Sequence, residues 1–419
     1  MKKSQKTGIK KIKKRKRGID MKLINFEKKE ENSEKTLNKK KVALTISVII
    51  IICIMIVLSS IYITNIAFRN FIDTNIFKKN ITENNATVIQ IEKEKNPYFY
   101  AFDKYVVKLE ENTLTRLTAS GKEDTKLKVE ISNPIFAANE RSLVIAEKNK
   151  QKIYLVIDKQ IEWQKELDGN ISRVSVNKNG YVSVILTGTT YKSVIVVFNR
   201  EGKELFRMFL ANNIAVDSTI SDDNKYMSFA EIDTSGTMIK SYIKTISIEK
   251  AKQKPNESII YTYEGETDSA IINIKYQDKN ILLVLYNDRI DTIKNNKINT
   301  IKRLDNKNEK VSFSNIELNN SIYRVLEKTT GFFNSNSTIE ITNSSTNKEN
   351  VYLIDAIAKN AYSNQNVVAI NLGTEVHFIN TNNGWLIKKY NSKKEIKDIV
   401  LTDKIAGIIY HDKIELIDL

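Results

Sequence analysis

The chain has 419 residues, with 66 Lys and Arg against 50 Asp and Glu, for a formal charge of +16. The excess is local: residues 1–41 hold 17 basic and 5 acidic side chains, which leaves only +4 for the other 378 residues. The bulk of the chain thus lacks the basic bias of a nucleic-acid binder, and its one cysteine, Cys53, excludes a disulfide framework.

The tail, residues 1–41, is densest in KKIKKRKRG at 10–18. It reads as a topology signal that also attracts anionic lipid, at about 1 kcal/mol per basic residue near the surface, and not as a nucleic-acid site. If Met21 is the true start, that run is not part of the protein.

Residues 42–63 follow without Asp, Glu, Lys, Arg, Gly or Pro, and 14 of these 22 residues are Ile, Leu or Val. A helix of this length spans about 33 Å, close to a bilayer's hydrocarbon thickness. At roughly −0.4 kcal/mol each, the 14 branched residues contribute on the order of −6 kcal/mol to insertion. No small-x-small cleavage site follows; the nearest candidate is Ser59–Ser60. The expectation is an uncleaved single-pass anchor in the plasma membrane. Only Arg69, Lys78 and Lys79 are basic in the next 20 residues, so the amino terminus is expected in the cytoplasm and the bulk of the chain outside.

In residues 64–84, Phe68, Phe71, Ile72, Ile76 and Phe77 recur at three- and four-residue spacing. This predicts that the helix continues past the membrane with one apolar face, either docked on the domain beyond or lying in the lipid interface. The polar KNITENN is expected to act as a hinge.

From residue 85 the pattern changes to short alternating runs bounded by Asn, Asp, Gly and Lys, which read as strands. One kind of strand recurs: YVVKL from Tyr105, SLVIAE from Ser142, YVSVIL from Tyr181, YMSFAE from Tyr226, ILLVLY from Ile281, IYRVLE from Ile322, VVAINL from Val367 and IAGIIY from Ile405. The mean interval of about 43 residues is that of one four-stranded propeller blade. In the third unit SRVSVNKN is the inner strand, YVSVIL the second, KSVIVVFN the third and KELFRMFL the outer. Hairpins around Gly121, Gly202 and Gly384 join third to outer strand, where glycine supplies the positive φ. The last unit, EIKDIVLTD, KIAGIIYHD and KIELIDL, has three strands, and NATVIQIEKE from Asn85 supplies a fourth. Pairing first with last closes the ring and removes its edges. Residues 85–419 are therefore expected to be an all-β, eight-bladed β-propeller of four-stranded antiparallel sheets, with seven blades or a β-sandwich pair as alternatives.

Chemistry-bearing patterns are scarce. His377 alternates within EVHFIN and His411 sits in the turn YHDK, so both read as ordinary sheet or turn histidines. Asp222 and Asp223 fit a plain turn as well as a metal-leaning pair. No nucleophile elbow, zinc-protease, P-loop or Ca²⁺-loop pattern occurs, and no cofactor is expected. The loops between second and third strands share a face with the blade-to-blade connections. Three look long: TGTTYK at 187–192, DTSGTMIK at 233–240 and EKTTGFFNSNS at 327–337. Their aromatic tips, Tyr191, Phe332 and Phe333, are the candidate binding residues, because exposed aromatics at a loop tip mark a contact surface. EKAKQKPNES at 249–258 lies on the opposite face and reads as a solvated linker.

With one span, an inside amino terminus and third-strand–N-x-x-G–outer-strand repeats, the chain resembles the uncharacterised membrane-anchored propellers of low-GC Gram-positive bacteria, whose blades are similar to WD-repeat and quinoprotein-like ones. That resemblance implies the propeller fold and no assigned activity. WD-repeat Gly-His and Trp-Asp pairs are missing, and of the outer-strand tryptophans of quinoprotein blades only Trp385, and roughly Trp163, are present. The expected function is a non-enzymatic binding scaffold for an envelope protein or a wall polymer. The alternatives are a propeller enzyme acting on glycans or with a quinone-type cofactor, and a transmembrane sensor.

Overall fold

The computed structural model describes residues 39–82, 86–92, 94–306, 309–330 and 334–419. The apolar run forms one helix, α1, Lys39–Thr64, with no buried residue. Among the described residues it is the one helix long and apolar enough to cross a membrane. Three of its hydroxyls bond back within the helix: Thr45 donates to the Lys41 carbonyl at 3.0 Å, Ser47 to Ala43 at 2.9 Å and Thr64 to Ser60 at 2.8 Å. Such back-bonding lets polar side chains sit in an apolar span without an orphaned donor.

The chain divides into two units, one ending at Thr64 and the other running from Asn65 to Leu419. The expected continuous helix is interrupted here. Asn65 is extended (φ −108°, ψ 109°), and its side chain accepts from the Phe68 amide at 2.9 Å, capping a new helix, α2, Ile66–Asn75. Asparagine favours that position because its short side chain satisfies an orphan amide. The expected hinge is also held: Asn80–Thr82 pairs in parallel with Lys389–Asn391. Residues 83–85 of that stretch lie outside the described residues.

Beyond it the chain forms eight sheets. Blades 1 to 8 comprise residues 98–128, 134–166, 170–210, 214–264, 271–303, 309–354, 360–391 and 398–418, the eighth completed by Thr87–Gln90. First strands of neighbouring blades touch one another, so they are the inner ones. The ring closes as the sequence predicts: Val88 pairs with Glu415 and Ile89 with Ile414.

Each gap between neighbouring blades holds its own apolar core. Eight clusters fill the eight gaps, from blades 1 and 2 round to blades 8 and 1. The second strands are buried on both faces and serve two cores at once. In blade 3, Val182, Val184 and Leu186 face blade 2 while Ile185 faces blade 4. At roughly 1.5–3 kcal/mol per buried aliphatic side chain, these strands dominate the packing, which is why they are the part of the repeat most visible in the sequence.

Two expectations need correction. EKAKQKPNES is solvated along most of its length, as expected, but it is not a plain linker. Ser247 caps a helical turn, α3, Ile248–Ala251, whose Ile248 and Ala251 are buried in the core between blades 3 and 4. EKTTGFFNSNS is not a loop for most of its length. Ser321–Thr330 and Asn334–Asn343 form a ten-pair hairpin ladder that runs into it. The paired Thr, Ser and Asn side chains carry no apolar alternation, so the sequence did not mark them as strand.

Arg116 clips blade 1 to blade 2. It is buried against the Tyr105 ring, at 4.1 Å, pairs with Asp124 and donates to the Asp158 carbonyl at 2.7 Å. Lys159 and Arg116 together hold the Asp124 carboxyl down to about 2. A depressed folded value stabilises the fold above the unfolded value near 3.8, and that stability is lost as pH falls through about 2. Asp124→Asn should therefore unfold at lower temperature than the parent at pH 7, with the gap closing between pH 4 and 2. Thermal unfolding followed by circular dichroism at several pH values measures it; a pH-independent gap would contradict this account.

Candidate binding face

Successive antiparallel strands place the second-to-third-strand loops and the blade connections on one side of the ring. In blade 3 the loop between Val182–Thr187 and Ser193–Phe198 carries Tyr191. Its backbone is pinned by Thr189, whose hydroxyl lies 3.2 Å from both the Tyr191 amide and carbonyl. Gly188, at φ +71°, lets the loop turn against Asn170. The Tyr191 ring leans on Phe209 of the outer strand, centroids 4.8 Å apart, and both remain open to solvent, 41% and 48% exposed.

Ile214, at the start of blade 4, is exposed on the same side. The blade 4 loop adds Met238 and Ile239, both exposed. Asp233 holds the start of this loop by accepting from the Ser235 amide at 2.9 Å, and the Ile239 carbonyl accepts from the Asp268 amide at 3.3 Å. Two neighbouring blades thus present apolar side chains on braced loops. Isolated exposed apolar residues are ordinary, but several on one face point to a contact surface.

Blades 1 to 3 carry a polar groove of about 580 Å³ on this side, lined by Asn112, Glu130, Ser132, Glu147, Lys150 and Asn170 among others. Burial works against the charge on Glu147. Lys150, at 2.7 Å, and the Ser132 hydroxyl, also at 2.7 Å, nevertheless hold its carboxyl below the usual range. Glu147 is therefore held ionised and matched, suited to hydrogen bonding.

Of the residues singled out from the sequence, Tyr191 lies on this face. Phe332 and Phe333 lie outside the described residues. Phe209 and Ile214, which the sequence reading missed, sit in ordinary alternating strands, and only the ring geometry brings them out.

The remaining chemistry-bearing groups are taken up structurally. His377 is buried between blades 6 and 7, with Nδ1 3.1 Å from the Tyr352 hydroxyl and Nε2 2.6 Å from Glu375. Lys389 pairs with Glu375 at 2.8 Å. His411 is exposed in its turn. Asp223 accepts from the Ser221 hydroxyl at 2.8 Å and the Lys225 amide at 3.2 Å, while Asp222 pairs with Lys178 at 3.0 Å, so this is a capped turn.

On the inner strands Asp217 joins three blades, through Arg173 at 3.1 Å and the Ile274 amide at 3.0 Å; burial pushes its carboxyl up against the pull of Arg173. Glu317 faces Lys275 at 3.3 Å. Fully buried Glu415 accepts from Tyr390 and pairs with Lys413. Among the described residues no three His, Cys, Asp or Glu side chains gather as metal ligands would. Trp163 is buried in the outer strand of blade 2, whereas Trp385 precedes the outer strand of blade 7 and is exposed.

Residues 77–419 match a family described as a family of unknown function (DUF5711), and the chain belongs to it. None of the curated proteins compared with it matches. Among solved structures it is similar to Sqt1 of Saccharomyces cerevisiae, at 10% identity and a TM-score of 0.51 over 80% of this chain and 99% of that one. The dihydro-heme d1 dehydrogenase NirN follows at 9% identity and 0.49, over 79% and 72%. Hydrazine synthase of Kuenenia stuttgartiensis stands at 8% and 0.42, over 78% and 97%. The likeness to Sqt1 is one of fold.

Proposed function

Taking the family's ring as the premise, we propose that this protein is a non-enzymatic binding scaffold, held by α1 at the outer face of the plasma membrane, that engages another envelope protein. The observation carrying this reading is the Tyr191–Phe209 pair, tilted against each other and open on the loop face, with Ile214, Met238 and Ile239 exposed on that side. Aromatic anchors surrounded by apolar contacts are what a protein partner buries at the centre of an interface. Aliphatic Met238 and Ile239 suit a protein better than the hydroxyl-rich surface of a wall polymer. The basic tail before α1 supports an inside amino terminus.

A photo-crosslinking residue at Met238 in the full-length protein, expressed in living cells, should capture a discrete protein. Tyr191→Ser with Phe209→Ser should reduce that adduct by at least about tenfold, the equivalent of one anchor residue, while leaving the unfolding temperature within about 3 °C of the parent. Undiminished crosslinking would remove this face from the interface. Retention on purified wall material, lost in the double variant, would redirect the reading to a wall polymer.

A further inference from the structure

The described side chains on one side of helix α2 meet the ring. Phe68, Arg69 and Ile72 are half-buried and Asp73 is buried. The Arg69 guanidinium lies 5.7 Å over the Tyr352 ring of blade 6. Asp73 pairs with Lys79 at 3.0 Å, and the Lys79 carbonyl accepts from the Lys389 amide of blade 7 at 3.0 Å. The following strand, Asn80–Thr82, is hydrogen-bonded to the blade 7 outer strand. The helix is therefore built into the ring at blades 6 and 7.

Away from the ring, Phe71 on the helix and Ile76 and Phe77 just past its end are 57%, 59% and 57% exposed, with the Lys79 ammonium 5.5 Å over the Phe77 ring and Lys78 exposed beside them. Large apolar side chains fixed in such exposure call for an occupant. Phe71 comes only seven residues after Thr64, the last residue of α1. Even a fully extended chain carries it no more than about 25 Å from that point. A face of Phe and Ile flanked by Lys is the composition that enters the boundary between headgroups and acyl chains.

We infer that the end of α2 and the turn after it form a second, interfacial membrane contact: Phe71, Ile76 and Phe77 insert into the headgroup boundary of the bilayer that α1 spans and hold the edge of blades 6 and 7 against it. This rests on the reading of α1 as a membrane anchor. The occupant is lipid and not a second copy of the chain, because the patch follows the span directly and a bilayer is within its reach whenever α1 is inserted.

The test uses nitroxide labels on the full-length protein in vesicles of phosphatidylcholine and phosphatidylglycerol. Cys53 is the chain's only cysteine, so Phe71→Cys and Phe77→Cys are each made with Cys53→Ser. Glu201→Cys, in an exposed turn of blade 3, serves as the aqueous control, and native Cys53 reports on α1. Labels at 71 and 77 should be several-fold more accessible to oxygen than to a nickel chelate, with the opposite order at 201. If Cys53 reports lipid while 71 and 77 match 201, the interfacial contact is wrong and the anchor stands. If Cys53 also reports water, the anchor fails and the contact with it. Shielding of 71 and 77 from both agents would place protein on the patch and overturn the inference. Unfolding temperatures within about 3 °C of the parent would confirm that the exposed substitutions leave the ring intact.

Discussion

Ile414→Asp should lower the unfolding temperature of the ring by at least about 10 °C and make the segment around Thr87 sensitive to protease. Ile414 is fully buried and lies directly across from Ile89 in the closing sheet. It packs with Val106 and Leu117 of blade 1, so it serves both the hydrogen-bonded seam and the core that joins last blade to first. Removing the aliphatic side chain costs about 2–5 kcal/mol. Placing an unpaired carboxylate in the same space adds to that. The sum rivals the whole stability of an ordinary domain, and for a chain of this size it corresponds to a shift of ten degrees or more. Ile414→Val, at about 1 kcal/mol, is the matched control. Should the Asp variant melt within about 3 °C of the parent, the pairing of Thr87–Gln90 with the last strand is not what holds the ring shut.

Gly202→Ala should destabilise by roughly 2–5 kcal/mol, a large effect for one added methyl group. Gly202 sits at φ +79°, where an L side chain costs about 1–2 kcal/mol. A Cβ there would lie 2.8 Å from Cγ of Trp163. The ring cannot retreat: its Nε1–H donates to the Arg200 carbonyl at 3.0 Å, and its centroid is 5.6 Å from that of Phe198. Overpacking of this kind adds roughly 1–3 kcal/mol. Gly236 provides the contrast, since its nearest neighbour would be 3.8 Å from an added Cβ, and Gly236→Ala should be neutral to within about 0.5 kcal/mol. Urea unfolding midpoints of the two variants decide it, and equal midpoints would refute the argument.

The same contact explains more of the repeat than its turn geometry did. Gly121 approaches Thr87 and Gly384 approaches Asn350, in each case a side chain on the outer strand of the preceding blade. The hairpin glycines were visible in the sequence as turn residues. Their second role, making room for the neighbouring blade, was not, because it depends on which residue the ring brings opposite.

That division holds elsewhere. The second strands were legible because burial on two faces leaves a continuous apolar signature, and the closing pair because the last unit has three strands and Thr87–Gln90 supplies the fourth. Asn80–Thr82 was not, since a three-residue parallel pairing rests on backbone bonds alone and leaves no side-chain pattern. Asn65 was hidden inside a hydrophobic periodicity that fitted one long helix as well as two. On the candidate face, Tyr191 was flagged by its position in a loop. Phe209 and Ile214 were indistinguishable from core residues, because solvent exposure at the end of a strand is decided by the curvature of the ring.

The closing seam also sets a clock on biosynthesis. Lys413 follows its partner Gln90 by 323 residues, so at about 5–20 residues per second a ribosome needs roughly 15 to 65 s to deliver the second half of the seam. Through that interval Thr87–Gln90 is a nascent strand with an open edge, the kind that pairs with the wrong chain when another is near. Crowding of growing copies at one site of synthesis should therefore favour exchange of this first strand between molecules.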